Sequence, residues 1–115
     1  MKRGVIVLTP FPFTNLKSKK VRPALIISSE SIDKRDVILA FISSVINEAE
    51  IKEVDFILKK TDKGFEETGL KKDSLFKLGK LATLEKSIIL GELGYLPEEI
   101  MKKIDEKLKL ALGLR

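Results

Sequence analysis

Val21-Arg22-Pro23-Ala24-Leu25-Ile26-Ile27-Ser28 decides the reading of this chain. From Ala24 onward it is an aliphatic run of strand length, rich in the branched residues that suit a pleated, buried surface. Pro23 cannot donate to a ladder, so it belongs at the start of that strand or on an edge. The stretch is entered through the basic turn Lys17-Ser18-Lys19-Lys20. An arginine at the mouth of a buried strand, beside a flexible cationic turn, presents a planar and permanently charged fork that matches phosphate geometry. The plainer reading, a strand-end arginine paired on the surface with Asp36 or Glu30, stands level with it at this point.

Outward from there the chain reads as short strands. Gly4 to Thr9 is nearly all apolar and forms a first buried strand. Pro10 and Pro12 disfavour a regular ladder, so 10–20 is expected to be a long exposed connection to the strand Arg22 to Ser29. Ser31 to Asp36 is turn-like, with room for one helical turn capped by Ser31. Val37 to Ser44 is a third apolar strand, and Ile51 to Leu58 alternates as a half-exposed one. Lys59 to Lys72, charged and broken by Gly64 and Gly69, is a loop. Ser74 to Leu78 and Lys80 to Leu84 form a further strand or a strand bent around Gly79, and Ile88 to Leu96 is a short last strand or an irregular return. From Pro97 the period becomes helical. Ile100, Ile104, Leu108 and Ala111/Leu112 share one face, Glu98 and Glu99 sit at the positive end, and Gly113 ends the helix. The expected fold class is therefore α+β, mainly β: a small, mostly antiparallel barrel closed by a C-terminal amphipathic helix. The pattern alone leaves another α+β roll open.

At 115 residues, 1–115 is expected to be a single domain. No apolar run approaches the ~20 residues of a membrane span, and Val5 to Leu8 is too short for a signal-peptide core. Absence of cysteine removes disulfides and thiolate chemistry, which suits a cytoplasmic location. Histidine is absent too. That excludes imidazole acid–base pairs, Ser-His-Asp triads and imidazole metal sites. The acids are dispersed with no loop of alternating oxygen ligands, so no metal and no cofactor is expected. Residues 1–35 hold eight Lys/Arg against two acids, whereas 36–115 hold fourteen against fifteen. The surplus charge is thus confined to the N-terminal third, as an anionic-ligand site requires.

Lys2-Arg3-Gly4-Val5-Ile6-Val7-Leu8, Pro10-Phe11-Pro12-Phe13-Thr14-Asn15-Leu16 and the run from Lys20 to Ile27 together resemble the opening of the MazF/PemK-type toxins, endoribonucleases of type II toxin–antitoxin systems. The resemblance runs through most of the chain. It implies an SH3-like barrel, a homodimer, a single-stranded RNA substrate and a cognate acidic antitoxin whose tail lies in the basic groove. It also implies that Arg22, in the Val-Arg-Pro motif, is catalytic. Its partner in the family is usually a threonine in a strand of the form Ala-x-Ile-Thr. Here that position is Ser43, which keeps the hydroxyl and loses the methyl; the plainer reading is that Ser43 and Ser44 merely cap the strand. The chain departs from most relatives at Val5, where they carry an aspartate, and at 80–83, which lack an arginine some members have.

These groups fit one chemistry. A 2′-hydroxyl attacks the adjacent phosphate and leaves a 2′,3′-cyclic phosphate and a 5′-hydroxyl. The nucleophile lies inside the substrate, so proximity replaces a metal. Arg22 would stabilise the transition-state charge and Ser43 would hydrogen-bond a phosphate oxygen or orient the 2′-hydroxyl. A guanidinium with a pKa above ~12 is not a general base. For RNA binding, Phe13 is placed to stack a base, Thr14, Asn15 and Ser18 to bond base edges, and Lys17, Lys19 and Lys20 to meet phosphates. Core anchoring is the plainer role for at least one of Phe11 and Phe13. Lys72-Asp73-Ser74 resembles a family segment near the groove, which adds Lys72 and Ser74. Two alternatives remain. One is a non-catalytic barrel of the same fold that poisons a protein target such as gyrase, as CcdB-type proteins do, although their C-terminal tryptophan is absent. The other is a nucleic-acid-binding barrel with a degenerate site.

Overall fold

A computed structural model describes residues 1–11 and 20–115, with the backbone alone at Phe11. The strands are β1 (Val5–Phe11), β2 (Lys20–Ile26), β3 (Asp36–Ser43), β4 (Asp55–Leu58), β5 (Ser74–Glu85) and β6 (Gly91–Tyr95), followed by the helix α1 (Glu98–Leu112). They form one antiparallel sheet in the order β4-β5-β3-β2-β1-β6. The sheet is curled into a half-barrel with α1 against it, so the mainly β, helix-closed architecture expected from the sequence is the one observed.

Strand β1 runs on through Pro10 to Phe11, paired with Val21 and Lys20, where a connection had been expected. The reason is directional. Leu8 gives its carbonyl to the Leu90 N–H on the β6 side (2.9 Å), and Pro10 has the same parity. Its missing N–H therefore points where the β1–β6 pairing has already ended, at Leu8↔Gly91, and costs the β1–β2 ladder nothing. Strand β4 begins only at Asp55, because Asn47 caps a 3₁₀ turn at Glu48–Glu50 and Asp55 folds back to accept the Lys52 N–H (2.9 Å). No helical turn forms between Ser31 and Asp36; Asp33 closes a hydrogen-bonded turn there. Strand β5 is one bent strand. Its register with β3 jumps from Ala40↔Leu81 to Phe41↔Lys77, which leaves Gly79 inside the bulge.

Two apolar clusters occupy opposite faces. The inner one joins Ile6, Leu25, Ala40, Ile42, Phe76 and Leu78 to Ile100, Met101 and Ile104 of α1. The outer one consists of Val7, Ala24, Ile26, Val37 and Leu39. Both alternate along the same strands, the strict period of two that makes register matter. Full burial of Phe76 or Ile104 contributes roughly 2–3 kcal/mol of transfer free energy each. The helix face is shorter than its sequence pattern: Met101 joins it, while Leu112 is 54% exposed. Pro97 is the N-cap, and Gly113 at φ +70° is the C-cap.

Candidate functional site

Pro23 shapes the site by what it lacks. The Ile27 N–H bonds the Ile38 carbonyl of β3 (3.0 Å), so odd-numbered residues of β2 turn their backbone groups towards β3. Pro23 is one of them and cannot donate. The β2–β3 pairing accordingly stops at Ala24↔Phe41. Two steps further along that register lie Arg22 and Ser43, on the side of the sheet shared by Ala24 and Phe41. The proline also holds Arg22 extended. Beyond it the two strands part.

An open groove of ≈ 480 Å³ fills this parting, within the ~300–1,000 Å³ range of ligand sites. Its walls are Lys20 to Pro23 of β2, Ile42 and Ser44 after the core of β3, and Leu70, Lys71, Lys72 and Ser74 leading into β5. Four cations and no acid line it. Among the described residues Arg22 makes no ion pair, so the surface pairing with Asp36 or Glu30 does not form. A half-buried guanidinium with no ion-pair partner among the described residues, beside three lysines, suits an external anion.

Of the residues expected at the site, Arg22, Lys20, Lys72 and Ser74 meet on this groove. Ser74 is buried and its hydroxyl donates to the Lys72 carbonyl (2.8 Å), which fastens the loop and commits the hydroxyl proton. Ser43 does not line the groove. It lines a neighbouring hollow of ≈ 780 Å³ with Asn47, Lys52, Leu75, Lys77 and Lys80. Its hydroxyl accepts the Val45 N–H (3.1 Å) and donates to the Val45 carbonyl (3.2 Å). The next residue, Ser44, lies just past the end of β3 and is the hydroxyl on the groove. Phe13, Thr14, Asn15, Lys17, Ser18 and Lys19 lie outside the described residues. Lys71 and Ser44 were missed by the sequence reading. The Lys71-Lys72 doublet was a visible signal, whereas choosing between Ser43 and Ser44 requires the register. Among the described residues no three His, Cys, Asp or Glu side chains gather as a metal site would need, and no helix is long and apolar enough to cross a membrane.

Residues 2–112 match the family model of the PemK-like, MazF-like toxins of type II toxin–antitoxin systems. The chain belongs to that family, the endoribonuclease toxins. It is 32% identical over 117 residues to the Endoribonuclease MazF of Staphylococcus saprophyticus subsp. saprophyticus, covering 99% of this chain and 92% of that one. The toxin also shares its fold with an endoribonuclease in complex with its cognate antitoxin from a mycobacterial species (TM-score 0.76, 20% identity, 100% of this chain and 97% of that one). A MazE–MazF complex from Deinococcus radiodurans is similar as well (TM-score 0.73, 16% identity, 100% and 97% covered).

Proposed function

We propose that the toxin cleaves single-stranded RNA in the groove at Arg22 by attack of a ribose 2′-hydroxyl on the adjacent phosphate. The observation that carries this is an Arg22 guanidinium without an ion pair among the described residues, in a groove whose described lining holds no acid. The P–O bond to the 5′-oxygen breaks as the 2′-oxygen bonds to phosphorus. The 2′-hydroxyl proton passes to solvent, and the leaving 5′-oxygen takes one up. Arg22 offers two N–H donors to the phosphate oxygens as their charge grows, a contribution of about 10²–10³ in rate where such donors are pre-organised. Lys20 and Lys72 hold neighbouring phosphates, and the chain from Phe13 to Lys19 supplies base contacts.

Ser43 would assist once its hydroxyl leaves the Val45 backbone, and Ser44 stands at the groove without that requirement. The toxin would work as a homodimer in the cytoplasm. An acidic antitoxin tail would compete with RNA for the same lysines, a reading supported by the antitoxin-bound relatives of the same fold.

The test is digestion of a long unstructured RNA in EDTA by wild type and by Arg22→Ala, Ser43→Ala and Ser44→Ala, with fragment ends mapped. Expected are cyclic-phosphate and 5′-hydroxyl ends, and a loss of at least 10²-fold in Arg22→Ala. Cleavage that survives Arg22→Ala, or RNA bound by wild type and never cut, would overturn the assignment. The two serine variants show which hydroxyl participates.

A further inference from the structure

We propose that the close approach of Gly69 to the Leu93 main chain and of Gly94 to the Thr68 main chain is a latch that positions Lys71 and Lys72 on the backbone of the RNA bound at Arg22; this rests on the ribonuclease reading above. Lys71 and Lys72 lie in the connection between β4 and β5, outside any strand. Their side chains are exposed and make no ion pair among the described residues. Their backbone, by contrast, is fastened on both sides.

On the near side the connection lies directly on β6, glycine against main chain. A Cβ at Gly94 would stand 2.7 Å from the carbonyl carbon of Thr68 and 2.8 Å from its oxygen. A Cβ at Gly69 would stand 2.8 Å from the Leu93 carbonyl carbon, and Gly69 also needs φ +73°. Both separations are below any that real side chains adopt, so only glycine at each position permits the approach. Thr68, fully buried between them, donates its hydroxyl to the Phe65 carbonyl and accepts the Leu70 N–H (3.1 Å). On the far side Asp73 accepts the Lys60 N–H (2.7 Å), and Ser74 donates to the Lys72 carbonyl (2.8 Å).

Rigid backbone beneath free cations is what a pre-organised phosphate contact needs, because little is then lost on ordering the loop. Closing the sheet would not by itself require exposed lysines at 71 and 72. A methyl at Gly94 would lift the connection away from β6 and carry both ammonium groups out of the groove they share with Lys20 and Arg22.

The experiment measures the dissociation constant against salt for a 2′-O-methyl oligoribonucleotide, which lacks the attacking hydroxyl, in a sequence that the wild type cuts as RNA. Each phosphate neutralised on a single strand contributes about 0.7 to the slope of log K against log salt. Gly94→Ala is expected to weaken binding about tenfold and to lower the slope by about 1.4, as for two lost contacts. Lys71→Ala/Lys72→Ala should give the same change, and adding Gly94→Ala to that pair should change nothing more. Leu108→Ala, a destabilised helix face away from the groove, should keep the wild-type slope. A folded Gly94→Ala with the wild-type slope, or an effect additive with the lysine pair, overturns the latch. If Gly94→Ala does not fold, Thr68→Val replaces it. A slope reduced in Thr68→Val and restored in Thr68→Ser supports the latch, and an unchanged slope in Thr68→Val overturns it. A wild type that neither cuts RNA nor binds the probe overturns the ribonuclease reading itself, which is a separate outcome.

Discussion

Replacing Pro23 with alanine should close the groove with little change in stability. The substitution returns an N–H that faces β3, where the carbonyl of Ile42 is the next acceptor in the register set by Ala24↔Phe41. One added backbone hydrogen bond contributes about 0.5–1.5 kcal/mol net. Against it, loss of the proline frees the unfolded chain at a cost of about 0.4–1 kcal/mol. The two nearly cancel, leaving a net change within about 1 kcal/mol and a melting temperature within about 5 °C of wild type. The local consequence is larger. Pairing β2 and β3 one step further draws Arg22 towards Ser43 and narrows the wall between Val21 and Ser44, so RNA cleavage should fall more than about tenfold, the rate equivalent of ~1.4 kcal/mol. Thermal unfolding followed by circular dichroism, hydrogen exchange at the residue-23 amide, and cleavage of an unstructured RNA read the three parts separately. A protected amide with wild-type cleavage would refute the idea that the ladder's end sets the groove. An unprotected amide with wild-type cleavage would refute the claim that the proline ends the ladder.

Two further outcomes concern the frame that holds this site. Ile104, fully buried in the inner cluster, should lose about 2–5 kcal/mol on Ile104→Ala. Urea unfolding should show a lower midpoint with an unchanged slope, and a loss below ~1 kcal/mol would mean that the helix is not part of the main core. Arg3 pairs with Asp105 of the helix and donates Nε to the Ile27 carbonyl (2.8 Å). With both side chains about a third exposed, the pair is screened, and Arg3→Ala should cost only about 1 kcal/mol. Arg3→Lys should recover less than half of it because lysine lacks the fork; full recovery in the same unfolding assay would sink that geometric account.

The comparison between chain and fold is most instructive at three places. The helix was legible to the residue at its end, since Gly113 meets a left-handed cap that propensity alone demands. Its buried face was legible only in part: Leu112 fits the helical period, but it stands exposed in the last turn. Pro10 misled in the other direction. Proline forbids donation on one side of a strand, and which side has a neighbour depends on where β6 stops. Asp55 did the same for β4, because a carboxylate that closes a turn onto Lys52 looks in sequence like one more polar residue of an alternating strand.

Local chemistry carried by consecutive residues was determined by the sequence itself. The aliphatic strands, the charge concentrated before residue 36, the absence of histidine and thiol catalysis, and an arginine beside a proline at a strand mouth all follow from residue type and near neighbours. Tertiary structure decided everything that depends on which face or edge meets which. It turned Pro23 from a strand opener into the end of one particular ladder. It set Ser44 rather than Ser43 on the groove beside Arg22, and it brought Lys71 and Lys72 from fifty residues away through two glycines that let their connection lie against the main chain of β6. The groove opens where the β2–β3 ladder ends, and where a ladder ends is a property of pairing between distant segments, which residue type and near neighbours do not fix.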